Sequence, residues 1–346
     1  MATIGGMPAG RRPSMADVAD AAGVSHQTVS RVLNGHAYVR EETRDRVNAA
    51  IERLGYRRNQ AARALATARS GVIGVVTTGT ADHGPASTVL AIERAARGAG
   101  RFVSLAALPE ADADSARATL GAMQEQGVDG IAIVAPVVDV ARLVDDVSLP
   151  IPVVVVAARG DAPEGSSVRY VAVDQRGGAA QATRHLVGLG HTGIAHVRGA
   201  EGWFDAIERA SGYALAMEEA GLEPRVVDAG GWSARDGLAA AAALADDVRA
   251  GRITAIAAAN DHLALGVIRA LADRGLRVPD DASVVGFDDI DAGDVLIPSL
   301  TTVRQPFEEL GSRVVDALLG GDARGVVEAE LIVRESATRR ASAPHV

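Results

Sequence analysis

From Gly71 onward the chain alternates short apolar runs with stretches of helical period, and no other feature restricts the fold as much. The runs Val72–Val76, Phe102–Ala106, Gly130–Val134, Val153–Val156, Tyr170–Val173, Ile194–Val197, Ala255–Ala258 and Val284–Phe287 read as strands. Between them, Ala86–Ala99, Ala113–Gln126, Gly178–Leu189, Ile207–Ala220, Ala234–Ala245 and His262–Arg274 read as helices. Strands that alternate with helices form parallel sheets joined by helical crossovers. The series of units is too long for one compact lobe, and a ligand of such a fold sits beyond the carboxyl ends of its strands.

The first seventy residues follow a different rule. Ser14–Asn34, SMADVADAAGVSHQTVSRVLN, reads as a helix-turn-helix. Ser14 and Asp17 have capping-box spacing, and Val18 and Ala22 share one face. Gly23 ends the first helix where the backbone turns left-handed. Ser25 can cap a second helix that turns Val29, Val32 and Leu33 inward and leaves His26, Gln27, Thr28, Ser30, Arg31 and Asn34 outward. That face suits a major groove: Gln pairs bidentately with adenine, Arg with guanine, and Thr or Ser holds phosphate. An ordinary helical hairpin with a solvated face would show the same period. A third helix, Glu41–Leu54, carries Val47, Ala50, Ile51 and Leu54 to close a small core.

Charge separates the same two regions. Residues 1–70 hold eleven Arg against six acids, a net +5, and the remainder holds 24 Arg against 38 acids, a net −14, giving the overall −9. A basic head on an acidic body confines nucleic-acid contact to the head. The chain has no Cys, which excludes disulfides, thiol nucleophiles and thiolate metal sites. No apolar run reaches the ~18 residues of a membrane span, and no signal peptide is evident, so we expect a cytoplasmic protein with no membrane partner.

Five segments act in combination: MADVADAAGVSHQTVSRVLNG, VREETRDRVNAAIERLGYRRNQAARAL, NDHLALG, SVVGFDD and SLTTVRQP. Over nearly the whole length the chain resembles the LacI/GalR family of transcriptional repressors. The resemblance implies an all-α helix-turn-helix head followed by an α/β body of two Rossmann-like lobes of periplasmic-binding-protein type. Its domains would be a disordered tail (1–13), the DNA-binding head (14–58), a hinge helix and linker (59–70) and a two-lobed effector-binding and dimerisation domain (71–346). The hinge helix, Asn59–Ala66, would fold only on operator DNA, with Asn59 as cap and Leu65 wedged into the central base step. An apolar wedge of this kind unstacks the step at a cost of ~a few kcal/mol, offset by the contact that the bend allows.

The resemblance also implies a small sugar or related metabolite in the cleft between the lobes. Arg209, Trp232, Asn260, Asp288 and Gln305 match effector-contacting positions, and His83, Gly84 and Pro85 match a first-lobe loop over the ligand. By their own chemistry these residues leave alternatives open. Arg209 could fork onto ring hydroxyls or make a lobe salt bridge. Asn260 has an amide suited to a hydroxylated ligand, with Asp261 as a candidate helix cap. Asp288 can accept two hydroxyls or serve only in a turn, and the Trp232 indole can stack on a pyranose or anchor a loop. The pattern departs at Val134 and Ala157, where sugar-binding relatives carry an asparagine and an aspartate. Hydroxyls left unpaired against those side chains cost ~1–3 kcal/mol each, so a galactoside is disfavoured.

The tail from Arg334 shows no leucine heptads, so we expect a homodimer on a palindromic operator and not a tetramer. A pure solute-binding protein would need a signal sequence and no basic head. An enzyme would need a constellation that the eight His do not supply: His185, His191 and His196 have neither triad nor metal-ligand spacing. Asp174 reads as a helix cap. Gly188–Gly193 spells G-x-G-x-x-G but runs from helix to strand, the reverse of a dinucleotide fingerprint. No catalytic residue, metal or cofactor is expected.

Overall fold

The computed structural model describes residues 13–36, 38–57, 69–78, 82–110, 112–146, 149–158, 168–322 and 325–340. The chain forms two compact units, residues 1–70 and 71–346. Residues 1–12 of the expected tail and the hinge helix, with Asn59 and Leu65, lie outside the described residues.

The first unit holds three helices, α1 (Met15–Ala22), α2 (His26–Leu33) and α3 (Glu41–Leu54). Ser14 and Asp17 form a reciprocal capping box: the Asp17 N–H donates to Ser14 Oγ at 3.3 Å and the Ser14 N–H donates to Asp17 Oδ2 at 2.7 Å. Two orphan amides at the helix start are thereby satisfied. Gly23 takes φ +64°, which lets the chain reverse within three residues. Ser25 Oγ then accepts the Thr28 N–H at 3.1 Å and starts α2. Val18, Val29 and Val47, one from each helix, are fully buried together, and Tyr56 closes the base.

The second unit opens with β1 (Val72–Thr77), α4 (His83–Gly98), β2 (Phe102–Ala107), α5 (Ala113–Glu125), β3 (Gly130–Val134), α6 (Val138–Asp146), β4 (Val153–Val156) and β5 (Val168–Val173). It continues through α7 (Gln175–Gly188), β6 (Ile194–Arg198), α8 (Phe204–Glu219), β7 (Arg225–Asp228), α9 (Ala234–Ala242), α10 (Ala245–Arg249), β8 (Ala255–Ala258), α11 (Asp261–Ala272) and β9 (Ser283–Val285). The last elements are β10 (Thr302–Arg304), α12 (Phe307–Leu318), β11 (Gly325–Val327) and β12 (Glu330–Ile332). Lobe 1 is a six-stranded parallel sheet in the order β11-β5-β4-β3-β1-β2. Lobe 2 is a four-stranded parallel sheet in the order β7-β6-β8-β9, and β10 and β12 form a separate antiparallel pair.

Because β11 returns to β5 in lobe 1, the chain passes between lobes three times: after β5, after β10 and after β11. α12 packs on α4 in lobe 1, whereas α7 packs on α8 in lobe 2. The lobes also meet at a strap. Val138 N–H donates to Gly202 O and Phe204 N–H to Pro136 O, both at 2.9 Å, and Trp203 packs against the lobe 1 core.

The alternation does not announce α6, α10, α12, β7, β10 or β11. β7 is a sheet edge with Val226 exposed, so it lacks the apolar run of a central strand. β10 and β11 have three residues each, too few to show a period. Asp174 caps α7 as expected, accepting the Gly177 N–H at 2.8 Å. Gly188 is the last residue of α7 and Gly190 follows at φ +90°, so the G-x-G-x-x-G run is a helix end and turn. No helix among the described residues is long and apolar enough to cross a membrane.

Candidate functional site

On the head, packing of Val29 and Val32 sets the rotation of α2. His26, Gln27, Arg31 and Asn34 are exposed, and Thr28 and Ser30 are half-buried. The Thr28 hydroxyl lies 2.9 Å from Ser25 Oγ, and Asn34 Nδ2 donates weakly to Ser30 Oγ at 3.4 Å. Arg31 has an exposed guanidinium on the same helix. Tyr38, in the following loop, is fully exposed, and its period-free setting gave no sequence signal. Arg44 is partly spent, donating to His36 O at 3.0 Å.

In the body, four side chains from α7, α8, the end of β9 and the end of β10 close into a ring. Arg209 Nε donates to Gln175 Oε1 at 2.8 Å, and Gln175 Nε2 donates to Gln305 Oε1 at 3.0 Å. Gln305 Nε2 donates to Asp288 Oδ1 at 2.7 Å, and Asp288 returns to Arg209 Nη2 at 3.4 Å. All four are buried. With a cation at one end and a carboxylate at the other, both glutamine amides can point only one way. Arg209 is fixed further by Ala259 O at 2.5 Å and lies over the Phe287 ring, 3.9 Å from its centroid, with Trp232 at 5.6 Å. Of its two anticipated roles, the guanidinium thus fills the ion-pair one, within lobe 2.

Asp288 and Asp289 both take positive φ, +114° and +56°. Such backbone is costly for a non-glycine residue and persists only where its surroundings impose it. Here the Asp288 N–H donates to Val303 O at 2.8 Å, and Asp289 is gripped by Arg304 at 2.7 Å and Arg334 at 2.6 Å. Those two guanidiniums hold the Asp289 carboxyl below its usual range despite the opposing effect of burial. The turn therefore aims Asp288 at Arg209 and Asp289 away from it.

Asn260 does not offer the free amide that its sequence position suggests. It is itself the cap of α11, accepting the Leu263 N–H at 2.8 Å, and its Nδ2 donates to Trp232 O at 3.2 Å. The orphan amides of the helix start claim its oxygen first. Asp261, the alternative cap, lies one residue inside the helix, fully buried, and accepts from the Thr302 hydroxyl at 2.6 Å and the Ile290 N–H at 2.9 Å. Burial, then the Asp288 charge, pushes its carboxyl up to about 7.

Trp232 meets Trp203 edge-on at 5.7 Å, and its Nε1 is buried with no hydrogen-bond partner. A Cβ at Gly199 would overlap the indole, so only glycine fits beneath it. His83 begins α4 and meets Phe307 edge-on at 5.7 Å. Pro85 and Gln305 line a cavity between the lobes, together with Val134, Ala157, Asp205 and Phe307.

Three of these residues escaped the sequence reading: Gln175, Asp205 and Phe307. Asp205 left a faint signal, an acid four residues before Arg209 on one helix, 3.9 Å from its Nη2. Burial pushes the Asp205 carboxyl up to about 6, with Arg209 opposing. Asp82, at the head of α4, is also raised, by burial first and then by Asp288 and Asp236, with His262 opposing. None of the three suspect histidines faces solvent: His196 Nδ1–H donates to Ala257 O at 2.9 Å inside the lobe 2 sheet, His191 bridges the Thr254 hydroxyl and Thr338 O, and His185 Nε2 is buried with no hydrogen-bond partner among the described residues.

A profile of bacterial regulatory proteins of the lacI family matches residues 14–59, and a periplasmic binding protein-like domain matches 183–342. The lactose operon repressor of Escherichia coli (strain K12) is 34% identical over 305 residues, 88% of this chain and 83% of its own. The HTH-type transcriptional regulator CelR of Thermobifida fusca is 34% identical over 345 residues, 94% of this chain and 98% of its own. Among solved structures, the lac repressor dimer bound to operator and the anti-inducer ONPF superposes with a TM-score of 0.81 at 30% identity, covering 95% of this chain and 100% of that one. The CelR–cellobiose complex superposes at 0.67 with 32% identity, covering 94% and 100%. Likeness of this extent, spanning both units, shows that the chain belongs to the LacI family of bacterial regulatory proteins, which are DNA-binding regulators of transcription and not enzymes.

Proposed function

We propose that this protein represses transcription in the cytoplasm by binding a palindromic operator as a homodimer, under control of a small sugar or related metabolite held between its lobes. Relatives support the dimer, the operator and the sugar: one solved relative is a dimer on operator, another a complex with cellobiose. On the DNA side the reading uses His26, Gln27, Thr28, Ser30, Arg31 and Asn34 in the major groove, with Asn59 and Leu65 in a hinge segment at the operator centre. On the ligand side it uses Arg209, Asp288, Trp232 and Gln305, flanked by Asn260, His83 and Pro85.

The observation that carries the ligand-control reading is the ring Arg209–Gln175–Gln305–Asp288. Gln175 follows the first crossing between lobes and Gln305 the second. A ligand hydroxyl that takes over a bond from Arg209 or Asp288 must therefore change how two crossing segments are held. A ligand that binds one lobe arrangement better shifts the population toward it, and operator binding must then alter ligand affinity by the same factor.

The test is operator affinity, on DNA from upstream of the protein's own gene, with and without a panel of sugars. Arg31→Ala should weaken binding by ~1–3 kcal/mol and relax preference at one base pair. Parental binding by Arg31→Ala removes it from the groove, and an affinity unmoved by every sugar ends the effector half of the proposal.

A further inference from the structure

The cavity between the lobes is divided by polarity. Its lobe 1 wall is apolar, with Val134, Val156, Ala157 and Phe307 prominent. Its polar edge is made by Gln175, Gln305 and Asp205. Both glutamines are committed to the ring. Asp205 is not: among the described residues no hydrogen bond reaches its carboxylate, and it pairs with Arg209 at 3.9 Å. The Trp232 ring lies 5.6 Å from the same guanidinium, and its Nε1–H is buried without a hydrogen-bond partner. One idle acceptor and one idle donor lie near the same guanidinium, and a hydroxyl group can answer either, because it both donates and accepts. An amine would answer only the first and an anion only the second.

The cavity is small, its polar edge included. The volume open to the centre of a water-sized sphere is about 30 Å³, room for about two such spheres. Water against the Val134, Val156 and Ala157 face would find few polar partners, since the Thr88 hydroxyl on that wall already donates to Gly84 O at 2.8 Å. A methyl group matches the polarity of that wall.

Building on the sugar-controlled reading above, we propose that the effector is a deoxy sugar: a hydroxylated ring that presents hydroxyls to Asp205 and the Arg209–Asp288 pair and a methyl group to the wall of Val134, Val156 and Ala157. Asp205 is the specificity-determining residue of the polar edge. A fully hydroxylated hexose would leave a hydroxyl without a partner against the same wall.

The experiment is calorimetric titration of the full chain with matched pairs that differ by one oxygen: L-fucose with L-galactose, D-fucose with D-galactose, L-rhamnose with L-mannose, and 6-deoxy-D-glucose with D-glucose. In a pair that binds, the deoxy member should bind about tenfold or more tighter. Val134→Thr, which places a hydroxyl in the same volume, should narrow that ratio. Asp205→Asn should weaken both members about equally, leaving the ratio intact, with sugar-free operator affinity as the control for folding. A pair whose parent hexose binds as well or better overturns this inference while leaving sugar control standing. If no member of any pair binds to protein that still binds operator, the sugar reading falls with it.

Discussion

Gln305 donates through Nε2 to Asp288 Oδ1 across 2.7 Å, and this one bond ties the second crossing between lobes to the carboxylate that faces Arg209. Gln305 is buried and its oxygen accepts from Gln175, so the same side chain also reaches the first crossing. Gln305→Leu keeps the volume and removes both bonds. It leaves one acceptor on Asp288 and one donor on Gln175 unpaired, at ~1–3 kcal/mol each. We expect the operator affinity of the sugar-free protein to change little and the response to effector to fall by ~tenfold, the scale of an ordinary coupling energy. A gel-shift titration with and without effector reads both quantities, and an undiminished response would show that the ring does not couple the lobes.

Two helical glycines should respond in opposite directions. α9 and α11 pack so closely that a Cβ on Gly266 would overlap Ala234 O and the Leu238 amide. Gly266→Ala should cost about 2–3 kcal/mol through overpacking. Gly121, inside α5, has nothing within 4 Å of its missing Cβ and no positive φ. Gly121→Ala should stabilise by about 0.5–1 kcal/mol. Urea midpoints of the two variants measure the contrast; equal shifts would mean that the α9–α11 crossing yields more easily than its geometry indicates.

Gly23 isolates a backbone effect in the head. It holds φ +64° with open space around it, so a methyl group meets no atom and only the left-handed conformation is taxed. Gly23→Ala should destabilise the head by about 1 kcal/mol and leave the body's unfolding unchanged. Thermal melts followed by amide signals from α1 would show it, and a variant head as stable as the parent would contradict the assigned turn.

His196 should make the body acid-sensitive. Its ring is buried in lobe 2, stacked on Tyr213 at 5.1 Å, and burial lowers its pKa from 6.5 to about 4. The unfolded chain therefore binds a proton between those values that the folded chain refuses. The resulting stability is fully present above pH 6.5, declines as pH falls, and is gone below about 4, a total of roughly 3 kcal/mol. Asp205 and Asp261, raised to about 6 and about 7, work the other way, since the folded state holds their protons more tightly and loses stability as pH rises through that range. The wild-type profile is thus a difference of opposed slopes. His196→Phe should remove the first and leave the second, so the variant should lose less stability than the parent on going from pH 6.5 to 4. Denaturant unfolding at both pH values tests this; parallel losses would place the His196 proton elsewhere.

The sequence by itself determined the elements whose causes are local. A capping serine three residues before its aspartate, a glycine at the reversal and three buried valines define the head, because each acts within a few residues of itself. The βα alternation defines the body in the same way, since strands buried on both faces need unbroken apolar runs. Family likeness further marked Arg209, Asp288 and Gln305, but not how they meet. Tertiary structure alone decided that Gln175 and Gln305, 130 positions apart, share a hydrogen bond, that Asn260 spends its amide on a helix cap, and that Asp205 faces an apolar wall. Nothing in the period of either segment encodes those partners. They arise because the chain passes between its lobes three times, bringing distant strand ends to one cleft, where unmet hydrogen-bonding capacity is the property that counts.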